Sequence, residues 1–185
     1  MEAGAFKEIR PKEYLFRFLE KGVRPDHRTP DTTRDMIQSV GISTVCHGSS
    51  MVRCGETTVV CGIQGMVTSP LEESPREGAL EVEVELSRLS EGLSEDTLGF
   101  SVLRWQDGLC ASVRRSYLES GCLDLSGLCI VAGKAVWVLK ATVTVLEHGG
   151  GVEGVAGYAL GLALADTRLP HVTPVPGGGV REHPT

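Results

Sequence analysis

The sequence predicts a two-layer α+β domain, and three stretches carry that expectation. Residues 133 to 164 pass from a strand through a glycine cluster into a helix, residues 36 to 68 fall into three strand-like pieces, and residues 80 to 120 join an alternating strand to a long amphipathic helix. Strands and helices mixed in this order, each with one apolar face, must pack sheet against helix.

The first stretch is the least ambiguous. Val136, Trp137, Val138, Leu139, Val143, Val145 and Leu146 form a β-branched and aromatic run, and Ala141 to Val145 alternates as a half-buried strand does. Gly149, Gly150 and Gly151 can take the positive φ of a tight turn, and the alanine- and leucine-rich segment Val155 to Leu164 favours a helix. Read literally, Gly149-x-Gly151-x-x-Gly154 is a dinucleotide-binding fingerprint between a strand and a helix. That chemistry needs a helix N-terminus open to a pyrophosphate and a second strand ending in an acid about 20 residues on. Past Asp166 come Arg168-Leu169-Pro170 and a proline- and glycine-rich tail, and Glu153 inside the turn repels an anion. An oxidoreductase domain is therefore the weakest of the three functional readings.

In chain order, Lys12 to Gly22 reads as an amphipathic helix with Tyr14, Leu15, Phe18 and Leu19 on one face and Gly22 as its stop. Arg24-Pro25-Asp26-His27-Arg28 follows as an extended, charged segment. Met36 to Ser43, Ser49 to Cys54 and Thr57 to Val67 spell an antiparallel meander, with a tight hairpin at Gly55-Glu56 and a core of Val59, Val60, Cys61 and Ile63. Beyond the polar loop Ser69 to Gly78, Leu80, Val82, Val84 and Leu86 alternate with Glu81, Glu83 and Glu85, a strand with one buried and one acidic face. Leu98, Val102, Trp105, Leu109, Val113 and Tyr117 recur at three- and four-residue steps and predict a helix from Leu98 to Ser120. Arg104, Arg114 and Arg115 lie off that stripe, where solvated arginines and phosphate ligands look alike.

The chain has 185 residues, of which 41% are hydrophobic and 23% charged, enough for one globular domain with a real core. A net charge of -6 argues against a free-standing nucleic-acid binder, though not against an RNA path shared with other subunits. No apolar run is long enough to cross a bilayer and Met1 to Arg10 lacks a secretory hydrophobic segment, so a soluble intracellular protein is expected. The six cysteines form no C-x-x-C pair, and the five histidines are dispersed. Buried, reduced thiols are expected, with no metal site and no cofactor.

Several phrases together resemble the RNase PH family. Arg24-Pro25-Asp26-His27-Arg28 is similar to that family's R-P-D-G-R, with histidine in place of glycine. Gly48-Ser49-Ser50-Met51-Val52, then Gly55-Glu56-Thr57-Thr58-Val59-Val60-Cys61-Gly62, then Gly133 to Leu164 follow in register, and the resemblance runs from Tyr14 to about Val172. Within the family, Leu128-Cys129-Ile130, Gly133-Lys134, Val136-Trp137-Val138-Leu139 and Leu169-Pro170-His171-Val172 look most like the RNase PH-like subunits of the eukaryotic RNA exosome ring.

The resemblance implies an RNase PH-like domain (ribosomal protein S5 domain 2-like), a mixed β-sheet packed by helices, over residues 1 to 172, with its second half missing and a flexible tail from 173 to 185. The family's reaction is phosphorolysis of the RNA 3′ end, which brings two anions together and needs cationic or N–H ligands with carboxylates for metal or proton handling. Where active members carry aspartates, this chain has Ala141, Val143 and His148; Glu147 is one position out of register, on the opposite face. Arg114-Arg115-Ser116 is a poor counterpart of the family's phosphate loop. The expectation is the fold without the catalysis, an active phosphate-dependent exoribonuclease being the alternative. The implied partners are other RNase PH-like subunits in a six-membered ring, S1/KH cap subunits, an associated catalytic ribonuclease and single-stranded RNA in the shared channel, with no membrane or DNA. The implied locations are nucleus, nucleolus and cytoplasm. Arg76, Arg114 and Arg115 are the expected RNA contacts.

Overall fold

The computed structural model describes residues 6, 9–87, 102–175 and 179–182, with backbone alone from 173 onward. The chain divides into two compact units, Met1–Asp35 and Met36–Thr185, where the sequence reads as one domain to residue 172.

In the first unit, α1 (Pro11–Leu19) starts with proline in its first turn and has no buried residue. The amphipathic face expected from the sequence is present, but it stays half-exposed or exposed. In the turn that follows, the Arg28 guanidinium grips Asp26 at 2.7 Å, which holds that carboxyl below its ordinary value. His27 takes φ 64°, the left-handed region that favours glycine. This explains physically why a family pattern would put glycine there.

The second unit is a mixed sheet in the order β1 (Met36–Val40), β2 (Gly48–Cys54), β3 (Thr57–Thr68), β6 (Ala135–Glu147), β4 (Ala79–Leu86), with the short β5 (Cys129–Val131) also paired to β6. β1, β2 and β3 form the expected antiparallel meander, hinged at Gly55 with φ 62°. β4 runs parallel to β6, so a crossover must join them, and α2 (Val102–Leu118) supplies it. The residues 98–101, where the sequence starts this helix, lie outside the described residues.

The main core cluster lies on one face of the sheet. Val52, Val59, Cys61, Ile63, Ala141, Val143 and Val145 are completely buried, and with Leu80, Val84 and Leu139 they meet Leu109 and Val113 of α2. The same core holds Val155, Ala156, Ala159, Leu160 and Ala163 of α3 (Val152–Asp166). Val60, placed in the core by the sequence, alternates to the other face and is only half-buried. That face carries Glu81, Glu83 and Glu85 as expected, and Glu83 pairs with Lys140 at 2.9 Å. The cysteines are free, as expected, but among them only Cys61 is buried and Cys122 is exposed.

Where the sequence reads as a flexible tail, β7 (Val172–Val175) and β8 (Gly179–Glu182) pair as an antiparallel hairpin.

Candidate functional site at the glycine turn

The turn between β6 and α3 is built by close approach rather than by side-chain capping. Gly150 and Gly151 take φ 93° and 68°, and Gly151 is an N-cap with no side chain to offer. Gly149 lies so near the β2–β3 hairpin that a Cβ there would stand 2.5 Å from Glu56 Cβ and 2.9 Å from its carbonyl carbon. The fully buried Thr57 closes the junction: its Oγ1 accepts from Gly149 N–H at 2.9 Å and donates to Gly150 O at 2.8 Å.

The other glycine and serine phrases lead to the same helix. A Cβ on Gly48 would stand 2.5 Å from Ala163 O, and Ser50 donates its hydroxyl to Ala159 O at 2.7 Å. Ser49 N–H donates to Asp166 Oδ2 at 3.1 Å. On the far side, Tyr117 of α2 donates to Gly157 O at 2.7 Å, and only glycine at 161 leaves room for its hydroxyl.

A cavity of about 410 Å³ opens beside the turn, and Arg104, Trp105, Leu109, His148, Gly151 and Glu153 line it. The His148 ring packs edge-on against Trp105, with centroids 5.7 Å apart. Ser112 donates its hydroxyl to the Glu153 carboxylate. Glu147 leaves this side altogether: the β3–β6 register shifts between Thr58 and Val59, and Glu147 instead accepts the Thr58 hydroxyl at 2.7 Å. The cavity therefore offers one guanidinium, one imidazole and one carboxylate already hydrogen-bonded. Among the described residues no group of three or more His, Cys, Asp or Glu side chains is placed to hold a metal ion.

The positions expected at a vacated catalytic centre separate in the structure. His148 faces the cavity, while Ala141 and Val143 are fully buried under the helices, where packing alone accounts for their apolar character. Of the expected RNA contacts, Arg76 is exposed in the β3–β4 loop, which is tied down by Gly133 N–H to Pro75 O at 2.7 Å. Arg114 lines a separate groove with Glu81 and Asp107, and Arg115 pairs with Glu119 at 3.5 Å. The sequence reading named Arg104 as a possible phosphate ligand and Trp105 as a stripe position, but did not place either beside the glycine turn. After α3 comes the β7–β8 hairpin rather than a further parallel strand, which leaves the dinucleotide fingerprint without its second half.

A family model for the 3′ exoribonuclease family, domain 1 (RNase PH), matches residues 32–170. The chain is 31% identical over 165 residues to exosome complex component rrp43 of Schizosaccharomyces pombe, covering 89% of this chain and 60% of that one. It is 33% identical to exosome complex component Rrp42 of Sulfurisphaera tokodaii, covering 87% and 58%. Among solved structures, a chain of the Archaeoglobus fulgidus exosome with RNA bound to the active site superposes with a TM-score of 0.75 at 27% identity, over 85% of this chain and 61% of that one. The chain thus spans about three-fifths of the length of these relatives. Its sheet, its glycine turn and its α3 all lie within the matched residues, and the chain belongs to the RNase PH family.

Proposed function

We propose that this chain is a non-catalytic, structural subunit of an RNA exosome ring, supporting 3′-to-5′ RNA processing and degradation, including rRNA maturation and mRNA turnover. The observation that carries the reading is the chemistry of the glycine-turn cavity. At the end of β6 the side chain facing it is His148, packed on Trp105, and the carboxylates nearby are both engaged, Glu153 by Ser112 and Glu147 by Thr58. Phosphorolysis asks for free carboxylates beside a cationic phosphate site, and Arg104 supplies only the cation.

Assembly has its own support. β1 is an edge strand, and it exposes Met36 and Ile37 (48% and 63%), the kind of apolar edge that a partner chain covers. In this reading the ring has six RNase PH-like members, S1/KH cap subunits and an associated ribonuclease. Single-stranded RNA threads the channel, and the complex works in nucleus, nucleolus and cytoplasm. Arg76 is the best placed of the three arginines to meet RNA, since it is exposed on a loop, whereas Arg115 is paired with Glu119 and Arg114 shares its groove with Glu81 and Asp107. Charge reversal, Arg76→Glu, should weaken RNA protection by the assembled ring; unchanged crosslinking would remove Arg76 from the RNA path.

The competing reading, an active phosphate-dependent exoribonuclease, draws on Arg104 and the α3 N-terminus facing one cavity. Purified chain incubated with single-stranded RNA, phosphate and magnesium separates the two. No nucleoside diphosphate is expected, and its release, abolished by Arg104→Ala, would establish the enzyme instead.

A further inference from the structure

A second cavity, of about 620 Å³, lies wholly within the first unit. Phe6, Tyr14, Phe18 and His27 form a ladder of rings along it, with successive centroids 6.3, 5.0 and 6.5 Å apart. Arg17, Lys21 and Val23 complete the lining, and the Arg17 guanidinium sits 4.6 Å above the Phe6 ring. Among the described residues no carboxylate lines this groove. Of the three described acids close to it in sequence, Glu13 is engaged by Arg10 and Asp26 by Arg28, while Glu20 is exposed and does not line the groove.

Rings joined to cations of one sign suit a ligand with a flat π face and a negative charge. We propose that this groove binds single-stranded RNA, a base packing against the Tyr14–Phe18 pair and its phosphate held by Arg17 and Lys21. An acidic peptide satisfies the cations but not the rest. The groove's only neutral hydrogen-bonding side chains are the Tyr14 hydroxyl and the His27 imidazole, and the described residues of this unit offer no strand edge to read a peptide backbone. The site explains how a chain of net charge -6 holds RNA, since the positive field needed is local to the groove. The proposal concerns the free chain and stands or falls separately from ring membership.

The test is fluorescence anisotropy of the full chain with a short labelled oligouridylate, repeated across a salt series, with a duplex of equal length and an acidic peptide as comparators. The single strand should bind more tightly than either. The exposed pair Arg17→Gln and Lys21→Gln leaves the helix intact and should make the salt slope shallower by about 0.7, the value for one lost phosphate contact on a single strand. Tyr14→Ala or Phe18→Ala should weaken binding roughly 5- to 150-fold, the range for one lost stacking contact. An unchanged slope and affinity in the charge pair, equal binding of the duplex, or capture of the peptide in place of the RNA would overturn the proposal.

Discussion

Replacing Gly149 by alanine tests the close approach on which the glycine turn depends. The new Cβ would stand 2.5 Å from Glu56 Cβ, 2.9 Å from its carbonyl carbon and 3.1 Å from its Cα. These are not the far end of a flexible side chain, so the turn and the hairpin must part by about 1 Å to restore a carbon–carbon contact of roughly 3.5 Å. A shift of that size takes the 2.9 Å bond from Gly149 N–H to Thr57 beyond hydrogen-bonding range, and the 2.8 Å bond from Thr57 to Gly150 O moves with it. Two bonds at about 1 kcal/mol each are lost, and the hydroxyl of a completely buried threonine is left to find new partners at a cost of about 1–3 kcal/mol. The expected destabilisation is about 3–5 kcal/mol, a large share of a domain's ordinary 5–15 kcal/mol. Urea unfolding followed by circular dichroism measures it. Gly154→Ala, in α3, is the control: its Cβ meets no described atom within 4 Å, and helix propensity predicts a gain of about 1 kcal/mol. If Gly149→Ala unfolds within about 0.5 kcal/mol of the wild type, which is the ordinary spread of neutral surface changes, the close-approach argument is wrong.

Two further predictions concern pH and backbone. Burial, with Cys46 adding to it, pushes the Cys61 thiol from 9.0 up to about 12. Between those values the unfolded chain gives up a proton that the folded chain keeps, so stability is intact below pH 9 and falls as pH rises toward 12, by about 4 kcal/mol over the 3 units at 1.36 each. Cys61→Val should flatten that alkaline slope relative to wild type in urea midpoints, and parallel slopes would refute the assignment. His27→Gly should relieve the strain of φ 64° and slow amide exchange across residues 24–28, a net gain of about 0.5–1 kcal/mol once glycine's chain entropy is set against it. Faster exchange there would mean that the His27 ring contact with Phe18 outweighs the strain.

Much of the second unit was legible because its signals are local and periodic. Alternation placed Leu80, Val84, Val143 and Val145 in the core, Gly55 marked the hairpin, and the glycine run marked the entry to α3. Val60 was misplaced because a short continuous apolar run hides which residues alternate outward. The phrases that resemble the RNase PH family look unrelated along the chain, at 48–52, 55–62 and 133–164. In the fold they converge: Gly48 and Ser50 pack onto α3, and Thr57 locks the turn that starts it. That convergence is long-range, so no window of sequence contains it.

The site was legible in part. His148 was singled out and does face the cavity, whereas Trp105 looked like one more core position in a helical stripe. Ala141 and Val143 are in the core, so the proposed non-catalytic reading rests on His148 and on the engaged carboxylates. The parallel pairing of β4 with β6 and the separate N-terminal unit left no local mark at all.

The central claim is that this chain works as one member of a ring and not alone. Affinity purification of the tagged chain from its native cells, followed by native mass spectrometry, tests it most directly. The account predicts recovery in an assembly with five other RNase PH-like chains, at one copy each; recovery of the chain alone, or with none of them, would contradict it.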